Sequence, residues 1–383
     1  MGGCAERCGL PEFLYYLCKY MANHSLNTPV ISSSSHPLLR SLRAEGAAAV
    51  AVAQVGSVEE RVRERYLRWL AAGDNAGMEY MRNWLDLRFD PRLLLEGARS
   101  VICVAFPYPD HPGIIASYAL GSDYHDVLRQ RLCRAVEGLR ECFGGEYRIC
   151  VDSAPVLERY WAERSGLGRR GRNGLIYVPG LGSRVFLAEI FTTVECTTVE
   201  HHTVEFSSEE LTYDPAGSLS QCRGNRECVK EMLCPPQCRR CIDACPAGAL
   251  REDGTVRASR CLSYLTIEHR GDWDEEGREA MQTPAGRHTL YGCDICQRVC
   301  PLNIPAKRTG EALLAADFSL RSESNTAASL FLPEFSPRPE IASLTPEKAL
   351  SLTDDEFSRL FKGSPIKRAK AAGLRRNARS MLD

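Results

Sequence analysis

Apolar positions recur every three or four residues in VEERVRERYLRWLAA (58–72), with arginines and glutamates between them, which predicts an amphipathic helix. A short apolar, β-branched run, SVICVAF (100–106), predicts a buried strand. Helical spacing returns in HDVLRQRLCRAVEGLREC (125–142), and YRICV (147–151) predicts a strand ending at Asp152. Residues 156–165 have a helical pattern, and 174–178 and 184–191 have strand patterns. This alternation over residues 36–197 predicts an α/β (α+β) domain.

The pattern then changes. Residues 198–232 are polar, rich in Thr, Glu and Ser, and without a period, which predicts a linker or insertion. Residues 233–310 are dense in cysteine and poor in apolar residues, so this segment would lack a sufficient core without metal. Residues 311–383 predict a few helices with a basic ending. Residues 1–35, with SSSS at 32–35, read as a disordered or irregular extension, with Met21 as an alternative start.

A chain of 383 residues suits two or three domains. Hydrophobic content of 44% and charged content of 25% are ordinary for a soluble protein. The net charge of −1 favours no partner, so a polyanion would need a local basic patch. Near the start the apolar stretch is too short for a signal peptide or a membrane helix, which predicts a cytoplasmic protein without a membrane partner. Eighteen cysteines in a reducing compartment then read as metal ligands or small buried apolar residues.

Eight of them have ligand spacing. The first motif is Cys234-PPQ-Cys238-RR-Cys241-IDA-Cys245-Pro246, and the second is Cys293-DI-Cys296-QRV-Cys300-Pro301, with Cys261 between. Three close thiolates wrap one iron–sulfur cubane, and the cysteine before proline crosses to the other. Cluster one would take Cys234, Cys238, Cys241 and Cys300, and cluster two Cys245, Cys261, Cys293 and Cys296. Zinc is the alternative, since paired CxxC spacings also build zinc ribbons, but those lack the third cysteine and the Cys-Pro ending. The opening C-x3-C makes Cys234 the weakest ligand, with Cys228 a poor substitute. The other ten cysteines have no ligand spacing, and Cys103 and Cys150 read as core.

YALGSDYH (118–125), VDSAPVLERYWAERSGLG (151–168), RCLSYLTIE (260–268), YGCDICQRVCPLN (291–303) and GSPIKRAKAAGLRRNA (363–378) together resemble the epoxyqueuosine reductase family. The resemblance implies a cobalamin-binding catalytic domain related to reductive dehalogenases, followed by a ferredoxin-like domain with two 4Fe–4S clusters. It implies reduction of epoxyqueuosine to queuosine at the wobble position of a tRNA with a GUN anticodon. Electrons would come from an external donor such as ferredoxin or flavodoxin, and pass through the clusters to the cobalamin. The family acid maps to Asp152, which would need burial to raise its pKa. On the residues alone, D-S-A-P reads as a helix entry with Asp152 as its cap.

Other site residues follow from the same likeness. Asp123-Tyr-His125 begins like the cobalamin motif D-x-H-x-x-G, but residue 128 is Leu, so His125 reads as a helix-start or pocket residue and the cobalamin as base-off. In the loop Gly168-Arg-Arg-Gly-Arg172-Asn173 an arginine stands where the family has lysine. Arg172 and Asn173 would contact cofactor, or Arg172 a tRNA phosphate. Arg88, Tyr118 and Tyr124 are pocket candidates that serve equally well as packing. Lys367, Arg368, Lys370, Arg375 and Arg376 would meet tRNA phosphates, or form a solvated helix end. The wobble base would flip into the pocket. The chain stops before the helical repeats of longer family members, and a monomer is expected. Two other readings remain: a reductive dehalogenase-like enzyme acting on a small molecule, and a non-catalytic electron-transfer subunit.

Overall fold

A computed structural model describes residues 36–196, 234, 237–303 and 330–383. The expected extension at 1–35, the linker at 198–232 and the start of the C-terminal region lie outside the described residues. The strands are β1 (Ala49–Gln54), β2 (Ser100–Pro107), β3 (Tyr147–Cys150), β4 (Arg169–Arg170), β5 (Ile176–Tyr177) and β6 (Val185–Thr192). Four of them form one sheet in the order β1-β2-β6-β3, and β4 and β5 make a small hairpin. Every pairing in the main sheet is antiparallel. The α+β description therefore holds, and the alternation of patterns along the chain does not produce parallel crossovers.

The helices flanking this sheet are α1 (Pro37–Ala44), α2 (Glu60–Ala71), α3 (Leu85–Phe89), α4 (Tyr124–Phe143) and α5 (Glu158–Arg164). Ile102, Val104 and Phe106 of β2 face Leu38, Leu42, Leu128, Leu132 and Leu139 of α1 and α4. Val101, Cys103 and Ala105 face Trp161 and Ala162 of α5 on the other side. A sheet covered on both faces needs an unbroken apolar strand, and all eight residues of β2 are buried. Gly168 stands where β4 meets β5, and a Cβ there would overlap the Tyr177 carbonyl.

The cysteine-rich segment contributes α6 (Arg240–Asp243), α7 (Leu262–Ile267), α8 (Glu275–Gln282) and α9 (Ile295–Arg298). It has a small core of its own around Leu262, Leu265, Trp273 and Met281. That core is extended by its neighbours. Trp69 Nε1 donates to the Val256 carbonyl at 2.8 Å, Gly77 N donates to Tyr264 Oη at 2.8 Å, and Arg251 pairs with buried Asp74.

The C-terminal region supplies α10 (Pro339–Ala342), α11 (Pro346–Ser351), α12 (Asp354–Leu360) and α13 (Lys370–Leu382). A capping box of Thr353 and Glu356 opens α12. Phe357, Phe361, Ile366 and Leu374 pack with Ile115, Leu120, Leu290 and Tyr291, joining this region to both others. Asn377 is fully buried, and its Nδ2 donates to the carbonyls of Thr266 at 2.9 Å and Leu290 at 3.0 Å.

Asn377→Leu keeps the branching at Cγ but leaves two buried carbonyls without a donor. It should lower stability by about 2–6 kcal/mol, from ~1–3 for each unsatisfied group. The denaturant midpoint measures this, and a loss below about 1 kcal/mol would show that the clasp is not needed.

Candidate active site

The chain leaves β3 through a strained bend. Asp152 has φ +51°, a left-handed conformation that a residue with a Cβ keeps only when its surroundings hold it. Glu158, at the start of α5, provides that hold by accepting the Asp152 amide N–H with Oε1. The Asp152 carboxylate is 57% exposed. Its Oδ2 accepts the Tyr124 hydroxyl at 2.9 Å and lies 3.0 Å from His125 Nε2. His125 Nδ1 lies 2.8 Å from Asp123 Oδ1, so both ring nitrogens are engaged. Tyr124 stacks on His125 at 4.1 Å and on Phe186 at 4.4 Å.

Asp152 is not a helix cap. α5 starts at Glu158 with Leu157 in the capping position, and the Ser153–Val156 turn separates it from the aspartate. Nor does burial raise its pKa. Burial acts in that direction, but the hydrogen bond and charge of His125, the Tyr124 hydroxyl and the Arg159 charge hold the carboxyl below its usual value. His125 goes the other way: burial lowers its pKa, and the two carboxylates overcome this and push it up to about 9.

Two further carboxyls stand close by. Burial, followed by the charge of Asp152, pushes Glu158 up to about 8. Glu189 lies opposite Cys103 and Cys150 in the register of β6. It is fully buried with neither oxygen hydrogen-bonded, and burial, then the charges of Glu158 and Asp152, hold its pKa well above the ordinary value. Near neutral pH the site therefore holds an aspartate–imidazolium pair beside neutral Glu158 and Glu189. Arg159 faces this group and also feels Cys296. Glu158, Arg159 and Glu189 escape motif reading. The signal for Glu189 was a carboxylate inside the apolar run VFLAEIFT.

The eight spaced thiols fall into two neighbourhoods. Cys234 has Cys238 and Cys300 as neighbours, and Cys241 has all three. Cys261 neighbours Cys245, and Cys293 neighbours both. Cys296 neighbours Cys293, Cys261 and Cys245, and also Cys241, which brings the two sets side by side. Backbone N–H groups point at the sulfurs: Arg172 N lies 3.4 Å from Cys234 Sγ and Ala249 N 3.3 Å from Cys245 Sγ. Such donors suit thiolates bound to a cluster. Two neighbouring sets of four thiols with amide donors fit two cubanes.

Of the remaining expected residues, Tyr124 is at Asp152, and Tyr118 packs behind it at 6.2 Å and against Tyr291 at 6.3 Å. Arg88 is turned inward, donating to the carbonyls of Asn83 and Tyr80, and is packing rather than pocket. Asn173 closes its own turn, accepting from Leu175 N, with its amide 3.4 Å from Tyr177 Oη. Arg172 is buried beside Cys234 and cannot reach a surface phosphate.

In the basic stretch, Arg376 is turned inward as well. It donates to the carbonyls of Leu265, His269 and Gly271 and lies 4.5 Å from the Trp273 ring centre, so it is no phosphate contact. Arg375 pairs with Asp354 and donates to Leu352 O. Arg368 forms a two-pronged pair with Glu268. Lys367 and Lys370 are exposed.

Comparison with known proteins agrees with this layout. The family described as "4Fe-4S double cluster binding domain" matches residues 233–303. The family described as "Epoxyqueuosine reductase QueG, DUF1730" matches residues 88–153. Epoxyqueuosine reductase of Gloeobacter violaceus is 34% identical over 348 residues, 89% of this chain and 93% of that protein. The Cellulophaga algicola enzyme of the same name is 34% identical over 320 residues, 82% and 87% of the two chains. A crystal structure of epoxyqueuosine reductase with an epoxyqueuosine-modified tRNA-Tyr stem loop superposes with a TM-score of 0.67 at 28% identity, covering 90% of this chain and 80% of that one. A Bacillus subtilis epoxyqueuosine reductase, with its catalytic aspartate loop swung out of the active site, gives 0.65 at 27% identity with the same coverage.

A raised carboxyl makes stability depend on pH. Glu158 ionises near 4.5 when unfolded and near 8 when folded, so its contribution is full below the first value and is lost as pH rises to the second. Glu158→Gln has no such slope. Its stability relative to the parent should climb between about pH 5 and pH 8 and level off above. Thermal unfolding across that range measures it, and a constant offset would contradict the neutral Glu158.

Proposed function

We infer function from one premise, that this chain belongs to the epoxyqueuosine reductase family. It is an oxidoreductase that reduces epoxyqueuosine to queuosine in tRNA. The observation that carries the mechanistic reading is the cluster in which Asp152, His125 and Tyr124 meet, with Arg159 close enough to feel both Asp152 and Cys296. Removing the epoxide oxygen takes two electrons and two protons and leaves an alkene and water. Asp152 is the group that delivers a proton to the departing oxygen. The proton rests on His125 Nε2, 3.0 Å from Asp152 Oδ2, through which it would pass to the departing oxygen, and the Tyr124 hydroxyl fixes that carboxylate oxygen. The pair supplies what a buried lone acid would have supplied. Glu158 keeps the loop bent, with the carboxylate against His125 and Tyr124.

Cys234, Cys238, Cys241 and Cys300 would hold one 4Fe–4S cluster, and Cys245, Cys261, Cys293 and Cys296 the other. Tyr124 and Arg159 would flank a cobalamin, which when bound supplies a strongly reducing centre beside the epoxide. His125 has both ring nitrogens engaged, so it would not serve as a protein ligand to a cobalamin, which is expected to be base-off. An external donor such as ferredoxin or flavodoxin provides the electrons. Lys367 and Lys370 would meet tRNA phosphates, giving affinity that falls with salt. The same reading includes a cofactor domain at 36–197 with kinship to reductive dehalogenases, a cluster domain at 233–310, a GUN anticodon, and a cytoplasmic monomer. No helix among the described residues is long and apolar enough to cross a membrane.

Protein purified without oxygen should carry about eight irons per chain, two cubanes' worth. Four or fewer, or zinc in their place, would sink the ligand assignment. Asp152→Asn should keep that iron but lose turnover by about a hundredfold or more. Nucleoside mass analysis of modified tRNA measures the product, and parental rates in the variant would remove Asp152 from the chemistry.

A further inference from the structure

The sheet domain reaches the first set of thiols through the β4–β5 hairpin and the loop that follows it. Ser183, in that loop, holds the Cys300 segment from both sides. Its amide donates to Asn303 Oδ1 at 2.8 Å, its hydroxyl accepts from Asn303 Nδ2 at 2.9 Å, and its carbonyl accepts from Gln297 Nε2 at 3.1 Å. Gln297 and Asn303 stand three residues before and three after Cys300. The sulfur between them is thereby held against Tyr177 of β5, and the two buried residues pack with Leu302 as a small core of their own.

The Tyr177 hydroxyl stands close enough to the Cys300 sulfur to donate to it. Asn173 Nδ2 lies 3.4 Å from the same oxygen, and the Ser183 hydroxyl also reaches it. With donors on its lone pairs, the phenol keeps its own proton for the sulfur. In the turn of the hairpin, Arg172 N donates to Cys234 Sγ at 3.4 Å, and the buried guanidinium adds positive charge at that sulfur. Reduction of a cubane adds one electron, and the added charge spreads on to its thiolates. Donors and cations at those sulfurs therefore favour the reduced form.

We propose that Tyr177, donating to Cys300, and Arg172, beside Cys234, raise the reduction potential of the cluster held by Cys234, Cys238, Cys241 and Cys300. Both act through the thiolates and are positioning residues. The proposal rests on the two-cluster reading above and adds to it a control of potential that comes from the sheet domain. Only this cluster is tuned by the hairpin, so the two clusters respond separately to changes in it.

The test is a redox titration of the full, iron-loaded chain without oxygen, with electron paramagnetic resonance following the reduced clusters. The parent should show two one-electron steps. Tyr177→Phe keeps the ring against Leu302 and removes the hydroxyl. It should lower the reduction equilibrium of one step about tenfold, about 59 mV for one electron, and leave the other step in place. Arg172→Gln keeps the backbone amide, removes the charge, and should lower the same step. An unmoved step in either iron-loaded variant would overturn the proposal. So would equal shifts of both steps, or variants that move different steps. Where one variant holds less iron than the parent, the other decides. Iron loss in both would also overturn the proposal, since the hairpin would then serve assembly rather than potential. A parent with fewer than two reducible clusters would instead bring down the ligand assignment itself.

Discussion

A segment that carries eight cysteines in two tight sets has little room left for apolar side chains. Its own core, around Leu265 and Trp273, is small, so the segment is completed by contacts on both flanks. On one side Trp69, Asp74 and Gly77 receive it, and on the other Asn377 and Arg376 of α13 close over it. This dependence is what fixes the thiols relative to Asp152. A segment able to fold alone could sit at any angle to the sheet domain; one that borrows its core from its neighbours cannot. Arg159 can feel both Asp152 and Cys296 because of that docking.

The sheet domain was legible in the sequence because its strands and long helices obey simple periods. SVICVAF, YRICV and the run over 125–142 all appear within a residue or two of their expected bounds. Strand direction was not legible, since a strand buried on both faces reads the same whether its neighbours run parallel or antiparallel. Cysteine spacing was informative because a cubane constrains loop length directly. Side-chain direction was the weakest point. Arg88 and Arg376 look like surface cations in a linear string, yet each turns inward to satisfy backbone carbonyls that only the folded chain brings together. Asp152 illustrates the same limit: D-S-A-P has the composition of a helix entry, but the left-handed bend delays the helix to Glu158.

The acid site follows from crowding several carboxyls into one small volume. Asp152, Glu158 and Glu189 cannot all be charged, and they divide according to their partners. Asp152 has an imidazole and a phenol and keeps its charge. Glu158 accepts a single backbone N–H, and Glu189 has nothing, so burial keeps both neutral. The charged pair therefore stands against a neutral background that does not screen it with ordered anions. The charge of this cluster is therefore carried by Asp152, His125 and Arg159.

The clasp made by α13 has a consequence for the order in which the thiols are fixed. Asn377 and Arg376 lie far along the chain from the cysteines, yet they hold carbonyls of α7 and of the loop ahead of Cys293. A chain whose α13 is undocked leaves those loops with one of their two supports. Rigidity around the sulfurs is therefore a long-range property, completed only when residues 370–382 have packed.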